Sequence, residues 1–462
     1  MTRAVTRSVT RYHCDFAYLG GDAATADVAI GVEDARIVSV EPRAARSAGD
    51  VPLPGLTLPG FANVHSHAFH RALRGRAERP GTFWSWRDDM YSVASALDPE
   101  RYRRLARAVF AEMTLAGFSA VGEFHYLHHA PGGRPYADPN EMGRALVDAA
   151  RAAGIRLTLL DTCYLERAPG APAEGVQQRF SDGDLDQWAA RVERLYSGEL
   201  ARDLDGDMAD VRIGAAAHSL RAVPPEVAGG VARWAARLGA PFHVHVSEQP
   251  AENDAVSAAY GASPVALLFE AGALGATTTA VHATHLGTAD IGALGTTGTT
   301  ICMCPTTERA LADGIGPAAA LAAAGSPIAL GTDSHALIDP FEEARALELD
   351  ERLASRTRGR FATPAILAAA TSSGHAAIGW HDAGRIAPGA RADLVTVSLS
   401  SVRLAGAVPE TLLEHAVFAA GAADVTDVVI SGRRVVAGGR HQLVEDVAGE
   451  LAAAIADLRR QA

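Results

Sequence analysis

From about residue 58 to about residue 380, short apolar, β-branched runs alternate with Ala-, Leu- and Arg-rich stretches of helical period. The runs are LTLPGFANVHSH, SAVGEFHY, IRLTLLDT, VRIGAAAHS, PFHVHVSE, TTAVHATH, TTICMCPT and SPIALGTDS. Between most of them the period predicts helices, including Arg101 to Ala116, Glu141 to Ala153, Leu185 to Tyr196, Pro225 to Leu238 and Ser263 to Ala271. Eight strands alternating with helices predict an α/β protein with a (β/α)8 TIM-type barrel over residues 58–384, whose active site would lie at the C-terminal ends of the strands. The flanks read differently. Residues 1–57 hold ADVAIGV and RIVSVEP, and residues 385–442 hold DLVTVSL and DVVISGRRVV. These pieces predict one small β-sandwich domain built from both termini, because chain ends commonly lie near each other in space. Residues 443–462 read as a C-terminal helix.

The polar residues fall where a barrel enzyme needs them. His65 and His67, Glu123 and His125, His218, His245, His282 and Asp333 each close an otherwise apolar run. Branched apolar side chains normally fill a barrel interior, so the clustering points to chemistry rather than packing.

Composition narrows that chemistry. With 48% apolar and 21% charged residues, the 462-residue chain has ample material for a core, which excludes a disordered or fibrous protein. A net charge of -12 argues against nucleic acid or an anionic membrane as the main partner, leaving a small molecule. Every one of the 42 basic residues is arginine. Without lysine there is no Schiff base, no P-loop lysine and no carboxylated lysine to bridge two metal ions. The four cysteines, Cys14, Cys163, Cys302 and Cys304, are too few for a disulfide framework. The opening MTRAVTRSVTRYHCDF lacks an apolar core, and no stretch reaches about 18 unbroken apolar residues, so a cytoplasmic protein is expected.

His65 and His67 take alternate positions of one strand and so project from the same face. Their Cα atoms would lie about 6 to 7 Å apart, from which two imidazoles can converge on one ion. An H-x-H alone could equally be a polar pair beside a turn. His245 at the end of the fifth strand and Asp333 at the end of the eighth bring two more donors to the same mouth. Three imidazoles and a carboxylate suit zinc with one position left for water, whereas calcium or magnesium would want more oxygen ligands. Glu248, three residues beyond His245, is placed to carry a proton, and His282 to bond the attacking water or the tetrahedral centre. Taken singly, these two read as a surface carboxylate and a core histidine.

The stretches PGFANVHSHAFHRALRG, FWSWRDDMY, EFHYLHH, HSLRAV, HVHVSEQPAE, VHATHL, CPTTERALADG and GTDSH resemble the amidohydrolase superfamily, in its mononuclear deaminase branch. FWSWR, FHYLHH and HSLRAV resemble, more narrowly, the deiminases of N-formimino-L-glutamate in histidine degradation. The resemblance implies one zinc ion per subunit, or another divalent ion such as ferrous iron, on His65, His67, His245 and Asp333. It implies Glu248 as proton shuttle, His282 beside the reacting carbon and Asp333 as acceptor of the water proton. Arg87, Tyr126, His218 and Arg221 match substrate-binding positions, and His70 stands where many relatives have glutamine. A substrate with two carboxylates and a cationic formamidine suits forked arginine donors at one end of a site. An aminohydrolase of a purine, triazine or related heterocycle is the alternative, and a homodimer is the expected assembly. His243 is expected to pack deeper than His245, and His128 and His129 to be solvated. Cys302 and Cys304 read as packed thiols or a soft-metal pair, and Trp84 and Trp86 as loop residues over the substrate or packed beneath it.

Overall fold

A computed structural model describes residues 9–76, 80–197 and 210–461. Eight parallel strands form the barrel: β1 Phe61–Ser66, β2 Phe118–His125, β3 Arg156–Cys163, β4 Val211–Ala217, β5 Phe242–Val246, β6 Thr278–His282, β7 Thr300–Met303 and β8 Ile328–Leu330. Neighbours pair in chain order, and a parallel bridge between Ser66 and Asp333 closes the ring. Closure needs a residue without a side chain. A Cβ on Gly331 would stand 2.8 Å from the Cβ of His65 and 2.9 Å from its backbone nitrogen, so only glycine lets these strands meet.

The helices follow the predicted rhythm and end on identifiable signals. The helix Pro99–Ala116 starts at Asp98, whose carboxylate accepts from the backbone N–H of Arg101 at 2.8 Å. It stops at Gly117, which takes φ 109°. The faces turned toward the barrel carry its core, for example Leu105, Val109 and Phe110 on this helix and Leu146 on Glu141–Ala153.

The terminal pieces pair as one sheet of eight strands and form the small β-sandwich. Its seam is the antiparallel pairing of Leu394–Val397 with Val51–Pro59, from the two ends of the chain. Cys14, Ile30, Leu53, Leu394 and Val429 fill its interior. Two details differ from the sequence reading. LTLPGFANVHSH is not one strand: the terminal sheet keeps the chain as far as Pro59, and the barrel begins at Phe61. Gly60 makes the switch, its N–H donating to Asp393 O at 3.0 Å while a Cβ would fall 2.4 Å from Ser119 Oγ. The β-rich segment 385–442 also contains a helix, Leu412–Ala419, whose Leu412, Leu413 and Val417 join the barrel's core rather than the sandwich's.

Candidate metal and substrate site

The turn after β1 and the loop after β8 are built as one unit. His67 N–H donates to Asp333 O at 3.2 Å and Asp333 N–H to His65 O at 2.9 Å. Below them the Glu123 carboxylate accepts from Ser66 Oγ at 2.5 Å and from the Ala68 N–H at 2.7 Å. His335 bridges the Ser66 and Thr332 hydroxyls at 3.1 and 2.8 Å. Asp333 and His282 both adopt left-handed backbone, φ 43° and 69°, a conformation uncommon outside glycine and frequent at functional sites.

The structure brings His65, His67, His245 and Asp333 together. Ligating atoms of the three histidines lie within 4.8 Å of one another, and Asp333 Oδ1 stands 3.4 Å from both His65 Nε2 and His67 Nε2. Two of the rings are oriented from behind: His67 Nδ1 bonds Phe124 O at 3.0 Å, and His245 Nδ1 bonds His218 O at 2.8 Å. Each bond makes Nδ1 the protonated nitrogen and leaves a lone pair on Nε2. Burial, reinforced by neighbouring imidazoles, holds all three histidines well below their usual range and therefore neutral. His245 Nε2 faces His65 Nε2 at 3.1 Å, close to the roughly 3.3 Å between two nitrogens of a tetrahedral zinc centre. His65 Nδ1 has no partner. Neutral, converging imidazoles beside a carboxylate fit a divalent cation of the borderline class.

Around this centre opens a cavity of about 770 Å3, counting the open space out to its mouth. Glu248 and His282 face each other across it, Nε2 to Oε1 3.7 Å, and His282 Nε2 lies 3.8 Å from Asp333 Oδ2. Burial pushes the Glu248 carboxyl up to about 7, with the nearby Asp333 charge adding to it. Burial works against a cationic His282, yet Glu248, Glu308 and Asp333 outweigh it and hold the ring well above its usual range. Glu308 went unnoticed in the sequence. It meets His282 Nδ1 at 3.3 Å and accepts from the Cys304 N–H at 2.8 Å. The feature that could have exposed it is its place one helical turn past the end of β7.

Arg87, Tyr126, His218, Arg221 and His70 also line the cavity. His70 Nε2 bonds the Tyr126 hydroxyl at 2.9 Å, and burial brings this imidazole down to about 3. Arg221 has a buried Nη1 with no partner. The stretch FWSWRDDMY is not a loop: it lies in the helix Phe83–Ala96, where Trp86 lines the cavity edge-on to His70, 5.2 Å away. The Trp84 side chain lies outside the described residues.

Other histidines go elsewhere. Glu123 braces the β1 turn rather than lining the cavity, and His125 packs on His128 with ring centres 4.8 Å apart. His243 bonds Ala377 O at 3.0 Å, deep in the barrel. His128 and His129, expected in solvent, are 1% and 5% exposed. His128 bonds Thr162 O at 2.9 Å, and His129 bonds Asp182 at 3.0 Å within an Arg191–Asp161–Asp182 network. Their burial follows from residues far along the chain. Cys302 and Cys304 are buried free thiols 3.9 Å apart.

The model of the amidohydrolase family matches residues 56–435. A formimidoylglutamate deiminase of Pseudomonas aeruginosa is 38% identical over 409 residues, 86% of this chain and 88% of that protein. An amidohydrolase of Brucella melitensis, known by crystal structure, superposes with TM-score 0.89 at 34% identity, covering 97% of this chain and 100% of its own. An adenosine deaminase of Xanthomonas campestris with bound zinc superposes with TM-score 0.81 at 25% identity, covering 98% of this chain and 97% of its own. No described helix is long and apolar enough to cross a membrane.

Proposed function

The chain belongs to the amidohydrolase family, and from that premise we propose that it hydrolyses N-formimino-L-glutamate to N-formyl-L-glutamate and ammonia, a step of histidine degradation. One observation carries the reading. A centre of three neutral imidazoles and a carboxylate opens on the same cavity as two arginines, Arg87 and Arg221. The likeness to the Pseudomonas deiminase supports it.

His65, His67, His245 and Asp333 would hold one divalent ion, zinc in the first instance, which when bound supplies Lewis acidity and lowers the pKa of water. Asp333 takes the proton of the attacking water as oxygen adds to the formimino carbon. His282, kept cationic by three carboxylates, donates a hydrogen bond to the tetrahedral adduct. Glu248, with a carboxyl that changes protonation state near neutrality, delivers a proton to the amino nitrogen. The carbon–nitrogen bond breaks and ammonia leaves as the adduct's hydroxyl passes its proton back to the Glu248 carboxylate, leaving the carbonyl of the formyl group, and the proton held by Asp333 departs with ammonia as ammonium. Arg87 and Arg221 each take a carboxylate, with Tyr126 and His218 adding hydrogen bonds and His70 holding the Tyr126 hydroxyl.

A second reading, deamination of a purine or triazine, draws support from the likeness to the adenosine deaminase. A flat neutral ring has no carboxylate for the two forked cations that line the cavity, Arg87 and Arg221, which disfavours it. Ammonia release from N-formimino-L-glutamate, measured beside purines and triazines on metal-loaded protein, tests the assignment. Turnover of neutral rings without turnover of the dicarboxylate would overturn it.

A further inference from the structure

Tyr91 and Tyr164 line the cavity as well, and their hydroxyls meet the same side chain behind it. Gln177, only 6% exposed, donates from Nε2 to Tyr91 Oη at 2.8 Å and to Tyr164 Oη at 2.9 Å. Its Oε1 faces the backbone N–H of Glu174 at 3.5 Å, a long contact that favours this orientation of the amide. Both amide hydrogens are thus used on phenolic oxygens. A hydroxyl that accepts from behind must send its own hydrogen elsewhere, and both of these rings border the cavity. Burial pushes the Tyr164 hydroxyl up to about 12, so it keeps that hydrogen at neutral pH.

The same bridge reaches both arginines. The Arg221 guanidinium donates toward the Tyr164 hydroxyl, and the Arg87 guanidinium stands over the Tyr91 ring at 5.5 Å. Gln177 lies in the short turn Gly175–Arg179. At its end Arg179 donates to the carbonyls of Ala94 and Leu97, closing the helix that carries Arg87 and Tyr91, and to His129 O at 2.8 Å. One turn therefore sets the helix bearing Arg87 and the hydroxyls beside both guanidinium groups.

We propose that Gln177 is a positioning residue for substrate recognition: by donating to both tyrosines it turns their hydroxyl hydrogens into the cavity. There, with Arg87 and Arg221, they form a donor wall, with Glu252 standing near Arg221 as its counter-charge, selective for amidines that carry carboxylates. The inference rests on reading the cavity as a dicarboxylate amidine site.

Gln177→Glu reverses both bonds, because the new carboxylate accepts from the phenols and draws their hydrogens away from the cavity. The KM for N-formimino-L-glutamate should rise roughly tenfold or more, the weight of a hydrogen bond to a charged group, with kcat changed by less than about threefold. Metal content should stay at the wild-type value, and the melting temperature should fall while remaining above the assay temperature. Tyr91→Phe should raise KM by less, because Gln177 still holds Tyr164, and adding Gln177→Met to the Tyr91→Phe, Tyr164→Phe pair should raise KM little further, since no hydroxyl is then left to orient. For a formimino amine without carboxylates, KM should be the same in all these proteins. An unchanged KM for N-formimino-L-glutamate in folded, metal-loaded Gln177→Glu overturns the inference while leaving the proposed function standing. If that variant fails to fold, an unchanged KM in Tyr91→Phe overturns it equally. A wild-type protein that deaminates neutral rings and ignores N-formimino-L-glutamate overturns the function, and the donor wall with it.

Discussion

The two ends of the barrel are both polar and both buried, and they differ in how their charged groups are partnered. At the floor, where the strands begin, Arg156 forks onto Asp393 of the terminal sheet, and Asp393 also accepts from the Ser431 N–H at 2.9 Å. Arg156, Arg212 and Arg391 surround the ring of Trp380 at 5.1, 4.4 and 4.8 Å, and its indole N–H donates to Thr158 at 3.0 Å. Arg391 also pairs with Asp382 at 3.2 Å. Each of these guanidinium groups meets a carboxylate or the face of Trp380, although Arg156 Nε makes no hydrogen bond of its own. At the mouth, imidazole lone pairs face each other, His65 Nδ1 and an Arg221 nitrogen have no partner, and carboxylates crowd around His282. A buried group left without its partner costs stability, so such a cluster persists when something outside the chain completes it. The floor holds the two domains together, and the mouth gathers side chains that could hold a metal ion.

The contrast is broken most directly by variants that should affect one end and spare the other. Asp333→Asn should lower kcat by roughly 10³- to 10⁴-fold while the melting temperature holds or rises, measured by ammonia release and calorimetry. A large loss of stability would place Asp333 with the floor residues. Arg156→Met should do the reverse, lowering unfolding free energy by about 3 to 5 kcal/mol because Asp393 is stranded, with kcat of the folded enzyme unchanged. Denaturant titration beside steady-state kinetics reads both. Arg221→Ala should reduce kcat/KM by roughly 10²- to 10³-fold through loss of a buried carboxylate clamp, with metal content retained.

Acid sharpens the comparison further. Burial raises the Asp393 pKa, but Arg156 and the hydrogen bonds to it outweigh burial and hold the carboxyl below its usual range. A depressed folded-state pKa contributes stability that is present above the unfolded value, about 3.9, and lost as pH falls through the folded one. The floor should therefore loosen only below about pH 4, and Arg156→Met should flatten that acid limb of the stability curve. The smallest effect is expected from His70→Gln. An amide can still hydrogen-bond the Tyr126 hydroxyl, so kcat/KM should change by less than about tenfold. A larger loss would give the imidazole a role of its own.

Much of this arrangement is legible in the linear chain. Short apolar, β-branched runs and period-3.6 stretches announce the eight strands and their helices, and the polar residues ending those strands mark the mouth because strand direction alone decides which end they reach. What escaped depends on partners distant in sequence or on backbone geometry. Nothing local marks Gly60 as the point where one apolar run passes from the terminal sheet to the barrel. Its N–H bond is to Asp393, more than three hundred residues away. His128 and His129 look like loop residues until Arg179, Arg191 and Asp182 fold over them. Gln177 carries no motif, and its importance arises only when Tyr91 and Tyr164 come to its two amide hydrogens.

Metal analysis combined with ammonia release from N-formimino-L-glutamate, before chelation, after it and on return of zinc, tests the central claim most directly. The account predicts one divalent ion per chain, activity that falls in proportion as the ion is withdrawn, and recovery when it is restored. Full activity in protein stripped of metal, or an ion that remains bound after His65, His67 and His245 are all replaced, would contradict it.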